Sequence, residues 1–479
     1  MLEYEPVIGM ECHAELLTES KMFCGCQNAF GGEPNTRCCP VCLGLPGALP
    51  VANRKAVEHV IRTALALNCT INRYARFDRK NYYYPDLPKG YQISEYDTPI
   101  GVRGWIDIEV NGEVRRVHIR RVHLEEDTGK LFHGMGNESY VDYNRAGVPL
   151  MEIVTDFPPD LHSAEEARTY LVKLRAILTY LDVCDGRMEQ GSLRCEPNVS
   201  VRPKGSSTFG VKTEIKNLNS FRSVYRGIEY ETQRQIEILR RGEQVVQETR
   251  GWNEERQQTF SQRSKEFEQE YRYFPDPDLL PLDIDEEWIA QIRATMPELP
   301  DERRNRFLRD YGLPPYDASF LTETRPLADY YEQVVRACGD AKQASNWVMG
   351  DLSRLLNADG KEIAECPVPP EHLAVMIQRI AEGTISGKIA KALLEEMYAT
   401  GQPPDVLIEA RGWTTIKDTA TLSAMIDRVF AENADVVSAI REKGQLQKRG
   451  FLVGQVMKAS QGKADPKEVN RLIDEKLNA

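Results

Sequence analysis

Val7-Ile-Gly-Met-Glu-Cys-His-Ala-Glu-Leu16 alternates polar and apolar side chains. Successive side chains of a strand point to opposite faces. The segment is therefore expected as a strand with Glu11, His13 and Glu15 on one face and Met10, Cys12, Ala14 and Leu16 on the other. Shortly after it come Cys24-Gly-Cys26 and Cys38-Cys39-Pro-Val-Cys42. Cys24, Cys26, Cys39 and Cys42 supply four sulfurs from two tight turns, the spacing of a closed tetrahedral zinc site. Cys38 is read as a neighbour turned away, and buried free thiols are the plain alternative for the whole group. Four thiolates leave no open coordination position, so such a site is a structural clip or a positioning element.

The remaining composition sets bounds. At 479 residues the chain exceeds what one hydrophobic core serves, and about two to four domains are expected. A 41% hydrophobic and 28% charged composition is that of a soluble globular protein. The net charge of −12 argues against nucleic-acid binding by the chain as a whole but leaves room for local basic islands. No run approaches the ~18 apolar residues of a membrane span. Met-Leu-Glu-Tyr-Glu-Pro at the start carries neither a basic nor an apolar export signal. Eleven cysteines without such a signal favour reduced thiols and a metal, and a cytoplasmic location is expected.

Up to about residue 290, short strand-like runs mix with a few helices and with turns such as Pro85-Asp-Leu-Pro-Lys-Gly90. Strands are expected at 104–110, 113–127, 149–155, 193–202 and 211–216, and helices at 54–67, 163–181 and 221–241. Ser163 is a candidate N-cap with Glu166 at capping-box spacing. Irregular interspersion of this kind predicts an α+β fold with a mainly antiparallel sheet. From Pro281–Pro300 onward nearly every segment reads as helix. Gly401-Gln-Pro-Pro404 marks a further boundary, after which Leu422, Met425, Ile426, Val429 and Phe430 keep the helical period.

Further acids lie in apolar or mixed strands. His123-Leu-Glu-Glu-Asp127 contains Glu125 and Glu126, and Glu152 sits inside the apolar run 148–154. A buried carboxylate needs a cation, a proton or a metal. Taken singly, each acid reads as a salt bridge to a nearby arginine. Taken together with one imidazole, they suit a hard cation such as Mg²⁺. Arg79-Lys80-Asn-Tyr-Tyr-Tyr-Pro-Asp86, with Lys89 and Tyr91, mixes cations and aromatics as nucleotide phosphates and stacked bases require. Lys216 and Arg222 add positive charge beside Glu214. There is no Gly-x4-Gly-Lys-[Ser/Thr] loop and no complete dinucleotide fingerprint, so any ATP site is neither a P-loop nor a Rossmann crevice. Residues 443–463 hold Lys443, Lys448, Arg449, Lys458 and Lys463 and no acid. This island reads either as a helix packed by Phe451, Leu452 and Val456 with solvated ends or as a phosphate-backbone contact.

Val7-Ile-Gly-Met-Glu-Cys-His13, Phe77-Asp-Arg-Lys-Asn81, Gln92-Ile-Ser94, Glu125-Glu-Asp-Thr-Gly-Lys130, Gly191-Ser-Leu-Arg-Cys195, Lys216-Asn-Leu-Asn-Ser220, Tyr271-Arg-Tyr-Phe-Pro-Asp-Pro-Asp278 and 450–460 are ordered blocks spread along the whole chain. Together they resemble one family, the B subunits of the tRNA-dependent aspartyl/glutamyl amidotransferases. The resemblance implies a glutamine-synthetase-like antiparallel-sheet cradle (1–292, with the cysteine insert at 24–42), a helical domain (293–404) and a tRNA-binding tail domain (405–479). It implies phosphorylation of the side-chain carboxylate of Glu-tRNA(Gln) or Asp-tRNA(Asn) with ATP and Mg²⁺, then amidation. The implied Mg²⁺ ligands are Glu11, His13, Glu125 or Glu126, and Glu152, with Lys216 assisting and Arg79, Lys80, Lys89 and Arg222 toward the nucleotide. Ammonia would come from a glutaminase A subunit joined through a small C subunit in a heterotrimer. A non-discriminating aminoacyl-tRNA synthetase is a possible further partner, and no membrane is involved. Two rivals are a non-catalytic zinc-bearing tRNA scaffold and a stand-alone carboxylate–amine ligase.

Overall fold

The structure is a computed structural model that describes residues 3–133, 138–264, 271–414, 418–441, 445–460 and 463–478. The chain forms two compact units, Met1–Leu299 and Pro300–Ala479.

The first unit is built on a nine-stranded sheet. Its strands are β1 (Tyr4–Glu15), β2 (Thr70–Ile71), β3 (Gly101–Val110), β4 (Glu113–Glu126), β5 (Pro149–Thr155), β6 (Leu193–Pro203), β7 (Thr213–Lys216), β8 (Glu248–Asn253) and β9 (Gln258–Ser264). Across the sheet the order is β9-β8-β7-β6-β1-β5-β4-β3-β2. All neighbours are antiparallel except β7 and β8, so the opening strand lies at the centre. Its alternation is realised: Met10, Cys12 and Ala14 are buried in the core, and Glu11, His13 and Glu15 occupy the other face half-buried.

Three helices, α1 (Arg54–Ala66), α2 (Ala164–Tyr180) and α3 (Phe221–Arg240), share the core with the apolar face. They contribute Val57, Val60 and Ile61, then Tyr170, Leu171 and Leu174, then Val224 and Ile228. α1 lies so close to β3 that a Cβ added at Gly101 would sit 2.7 Å from that of Ala64. Ser163 caps α2 by accepting from Glu166 N–H at 3.1 Å. The reciprocal half of the capping box is displaced by one residue, since Glu166 accepts from His162 N–H instead. A three-stranded sheet of Asp78–Asn81, Tyr91–Ser94 and Phe274–Pro275 carries side chains to the polar face.

Parity along β4 changes midway. Val117 and Ile119 are buried in the core, yet so are Val122 and Leu124. The register with β5 shifts between Val154 and Thr155, whose partners are Arg121 and Ile119. A bulge that adds one residue reverses the faces beyond it. It turns Arg121, His123 and Glu125 to the polar side.

The second unit is helical throughout its described length. One core gathers Phe307, Tyr331, Leu373, Ile377, Leu393 and Leu394, with Leu407 and Ile408 of the helix Pro404–Arg411. A separate core gathers Leu422, Ile426, Val429, Leu452, Val456 and Ile473. Phe451, expected to pack, is 47% exposed because Leu452 and Val456 already occupy the buried side of its helix. Among the described residues no helix is long and apolar enough to cross a membrane. The α+β architecture with a helical second part agrees with the sequence reading.

Candidate functional site

Strand register assembles the site. Arg194 of β6 faces His13 of β1, His13 faces Glu152 of β5, and Glu152 faces His123 of β4. Four side chains thus form one row across the polar face, with Glu11 and Glu125 two positions away on β1 and β4. His13 Nε2 lies 3.8, 3.6 and 3.5 Å from carboxylate oxygens of Glu11, Glu125 and Glu152. His123 Nε2 lies 3.4 Å from the same Glu152 oxygen and 3.7 Å from Glu125. Arg121 Nη2 is 3.6 Å from the other Glu152 oxygen.

These separations exceed ordinary hydrogen-bond lengths. They are somewhat wider than the ~3.0 Å between adjacent ligand atoms around an octahedral ion with bonds of ~2.1 Å, so small adjustments would bring these groups onto one ion. Two triads, Glu11/His13/Glu152 and His123/Glu125/Glu152, each have ligand atoms within 4.8 Å of one another. The donor set of carboxylates and imidazoles fits a hard or borderline divalent cation. Glu152 belongs to both triads.

Burial and the charge of Glu152 push the Glu11 carboxyl up to about 7. Burial opposes charging of His13, but the attraction of the Glu152 carboxylate, with the charges of Glu125 and Glu11, outweighs it and raises the imidazole to about 10. Burial also disfavours a charged Glu152, yet His123, His13 and Arg121 hold its carboxyl far below the usual range. The sign pattern is that of an anionic pocket needing cationic company.

The two glutamates of β4 part ways. Glu125 joins the row, and Glu126 points to the opposite face. There it pairs with Lys89 and accepts from Ile93 N–H at 3.0 Å. Arg79 and Lys80 separate in the same manner. Arg79 binds Asp276 at 2.7 Å and Asp278 at 2.9 Å and lies over the Tyr91 ring. Lys80 feels the charges of Glu125 and Glu152, which raise its pKa against the effect of burial. Arg79, Lys89 and Glu126 line a cavity of about 240 Å³ together with Cys24 and Cys42. The structure therefore brings Lys80 to the acid–imidazole row but keeps Arg79 and Lys89 at this neighbouring cavity. Lys216 bonds Glu196 at 2.8 Å and is raised by Glu196, Glu214 and Glu11. Arg222 is exposed at the start of α3.

The sequence reading missed His123, whose place depends on a strand partner 29 residues away in Glu152. It also missed the second charged group of this face. Asp127 is buried, bonds Arg194 at 2.6 Å and lies 3.6 Å from Arg145. Burial and the charge of Asp127 push Glu15 up to about 8. The available signal was Asp127, directly following two acids already singled out.

The sulfurs of Cys24, Cys26, Cys39 and Cys42 all lie within 4.8 Å of one another, and every cysteine described is free of disulfide. Zn–S bonds of ~2.3 Å require S···S separations of about 3.8 Å, so small adjustments close the site on a metal. Cys42 accepts from Cys39 N–H at 3.1 Å. Its hydrogen bond with Cys24, aided by that N–H and by Lys21, brings its thiol down to about 4 against the effect of burial. In the tail, Lys448 and Lys458 are exposed and Lys463 half-buried. Arg449 is engaged by Asp474 at 2.5 and 2.7 Å. Lys443 lies outside the described residues.

A sheet cradle with a buried acid–imidazole row, a four-cysteine cluster beside it and a helical second unit defines a multidomain protein with two candidate metal centres. Residues 6–290 match the family model of the GatB/GatE catalytic domain, and residues 329–477 that of the GatB domain. The B subunit of an aspartyl/glutamyl-tRNA(Asn/Gln) amidotransferase from Carboxydothermus hydrogenoformans is 55% identical, covering 100% of this chain and 99% of its own. Proteins of the same description from Moorella thermoacetica (57%, 99% and 100%) and Thermodesulfovibrio yellowstonii (53%, 98% and 99%) are similar over comparable spans. The chain belongs to the B-subunit family of the tRNA-dependent amidotransferases. Membership gives it a part in the tRNA amidotransferase reaction, as one subunit of a larger ligase.

Proposed function

We propose that this chain activates the side-chain carboxylate of Glu-tRNA(Gln), Asp-tRNA(Asn) or both with ATP and then amidates it. The observation that carries the reading is the Arg194–His13–Glu152–His123 row with Glu11 and Glu125 beside it. A carboxylate is a poor acyl donor. Transfer of the γ-phosphoryl group of ATP to one carboxylate oxygen, with departure of ADP, turns that oxygen into a leaving group. Ammonia then attacks the carbonyl carbon, phosphate departs, a proton is lost and the amide remains.

Mg²⁺ held by Glu11, His13, Glu125 and Glu152, with His123 behind them, would neutralise the charge of the transferring phosphates. Glu125 is preferred to Glu126 because only Glu125 faces His13. Lys80 and Lys216, set against the same acids, hold fixed positive charge where phosphate oxygens arrive. The acyl phosphate is water-sensitive, so the polar face must be closed when loaded. Ammonia is supplied by a glutaminase A subunit, tied by a C subunit into a heterotrimer in the cytoplasm. A non-discriminating synthetase provides the misacylated tRNA. Cys24, Cys26, Cys39 and Cys42 hold zinc as a structural clip.

ATP turnover by the full complex tests this. It is expected to require both Mg²⁺ and misacylated tRNA. Turnover with free glutamate or aspartate and no tRNA would instead mark a small-molecule ligase. No turnover under any of these conditions would mark a scaffold.

The tail contributes phosphate contacts through Lys448, Lys458 and Lys463. Since Leu407 and Ile408 belong to the preceding core, a truncation that tests this removes residues 418–479. Binding of tRNA, measured across a salt series, should weaken, with the slope of log K against log salt shallower by about two to three. An unchanged slope refutes the basic-island reading.

A further inference from the structure

Strand β4 outlasts its outer neighbour. β3 accompanies it only as far as Gly101, which faces Val122, whereas β4 runs on to Glu126. Leu124, Glu125 and Glu126 are buried, and buried backbone groups on an edge need partners. Side chains provide them. Glu95 Oε2 accepts from Leu124 N–H at 3.1 Å and from Ile100 N–H at 3.2 Å. One carboxyl oxygen thus bridges the two strands at the point where they part. Gln92 Nε2 donates to Glu126 C=O at 2.8 Å. Between these, Ile93 N–H donates to Glu126 Oε1 at 3.0 Å and Ser94 Oγ donates to Glu125 Oε2 at 3.3 Å. The segment Gln92–Glu95 grips Leu124–Glu126 through backbone and side chains together.

We propose that Gln92 and Glu95 are positioning residues of the acid–imidazole site, standing in for the missing length of strand so that Glu125 faces His13 and His123 while Glu126 faces Lys89. The inference rests on the reading of that row as a divalent-cation site. Its physical basis is parity. The bulge near Arg121 has already reversed the faces once, and a one-residue slip would exchange Glu125 for Glu126 at the row. Beyond Val122 the bridge at Leu124 N–H and the clamp at Glu126 C=O fasten the backbone of the outer edge, while Ser94 and Ile93 hold the Glu125 and Glu126 side chains.

Neither Gln92 nor Glu95 touches His13, Glu11 or Glu152 in the hydrogen bonds described, so they act through β4. Glu95 is fully buried and its Oε1 has no hydrogen-bond partner among the described residues. Burial, against the two N–H bonds, pushes its carboxyl up to about 8. A glutamine carbonyl can accept the same two bonds.

The test is Mn²⁺ binding to the full-length chain in its complex, followed by electron paramagnetic resonance, for Glu95→Leu, Gln92→Met and Glu95→Gln. Loss of an outer partner of a ligand weakens metal affinity by about tenfold or more. That loss is expected for Glu95→Leu and Gln92→Met, with Glu95→Gln close to wild type and zinc content unchanged in all three. Wild-type affinity in both Glu95→Leu and Gln92→Met overturns the inference and leaves the metal site standing. So does a loss in Glu95→Gln as large as in Glu95→Leu, because charge and not the bridge would then matter. If Glu95→Leu does not fold, Gln92→Met against Glu95→Gln makes the same comparison. Absence of Mn²⁺ binding to the wild type, or binding that Glu152→Gln leaves intact, overturns the metal reading itself.

Discussion

Glu152→Gln is expected to lower tRNA-dependent ATP turnover by about a thousandfold, equivalent to about 4 kcal/mol of transition-state stabilisation, with tRNA affinity nearly unchanged. Glu152 is the carboxylate shared by both triads and is set against His13, His123 and Arg121 at 3.4–3.6 Å. Glutamine keeps its shape and removes its charge. Part of the lost charge returns locally, because Glu11 is held near 7 by burial and by the Glu152 carboxylate. With that neighbour neutral, Glu11 ionises more readily. The fold is therefore spared while the shared ligand is gone. Single-turnover assays of acyl-phosphate formation, run beside tRNA binding, measure the two effects separately. Equal loss of both would make Glu152 a structural residue.

The adjacent acids of β4 sharpen that result. Glu125→Gln should resemble Glu152→Gln in turnover. Glu126→Gln should instead lower the unfolding free energy, since it leaves Lys89 with a buried charge and no carboxylate partner, a loss of about 3 kcal/mol. Thermal or denaturant unfolding of the two variants distinguishes the faces.

What the sequence disclosed follows what is local in it. The alternation of 7–16 identified the central strand and the side on which its acids lie, because period-two burial needs no knowledge of neighbours. The strand at 149–155 was legible as a short apolar run, and the helices at 54–67, 163–181 and 221–241 through their periodicity and the Ser163 cap. Parity along 113–126 was not. It reads as one strand, and the bulge that reverses its faces is fixed by pairing with β5, a segment beginning 23 residues after β4 ends at Glu126. Hence which of Glu125 and Glu126 shares a face with His13 stayed open until register showed it. The pairing of Lys89 with Glu126 and of Arg449 with Asp474 was equally hidden. A lysine or arginine in isolation reads as available to phosphate, and only the fold shows which acid already holds it. The cysteines lay at the other extreme, because the geometry of four sulfurs is nearly contained in their spacing.

That cluster carries the second large effect. Cys42→Ser is expected to abolish zinc retention and to lower the stability of the first unit by several kcal/mol, about the scale at which a bound structural zinc supports a small site. Zinc content by elemental analysis and thermal unfolding with and without chelator measure it. The reason lies as much in Lys21 as in the metal. Lys21 is fully buried, and its ammonium donates to Arg37 C=O at 2.8 Å and Tyr143 C=O at 3.2 Å while lying 3.9 Å from Cys42 Sγ. Carbonyls satisfy its protons but supply no net charge, and a buried cation without an anion is costly. A tetrathiolate zinc centre has a net charge of about −2 by simple valence, so zinc bound at the four cysteines would supply that anion. Serine removes a ligand and leaves the ammonium beside a neutral hydroxyl. Cys38→Ser is the control: Cys38 is half-buried and outside the four-sulfur cluster, and it should keep zinc and stability near wild type. If chelator leaves the wild-type melting temperature unchanged while Cys42→Ser lowers it, the cluster supports the fold as packed thiols and not as a metal centre.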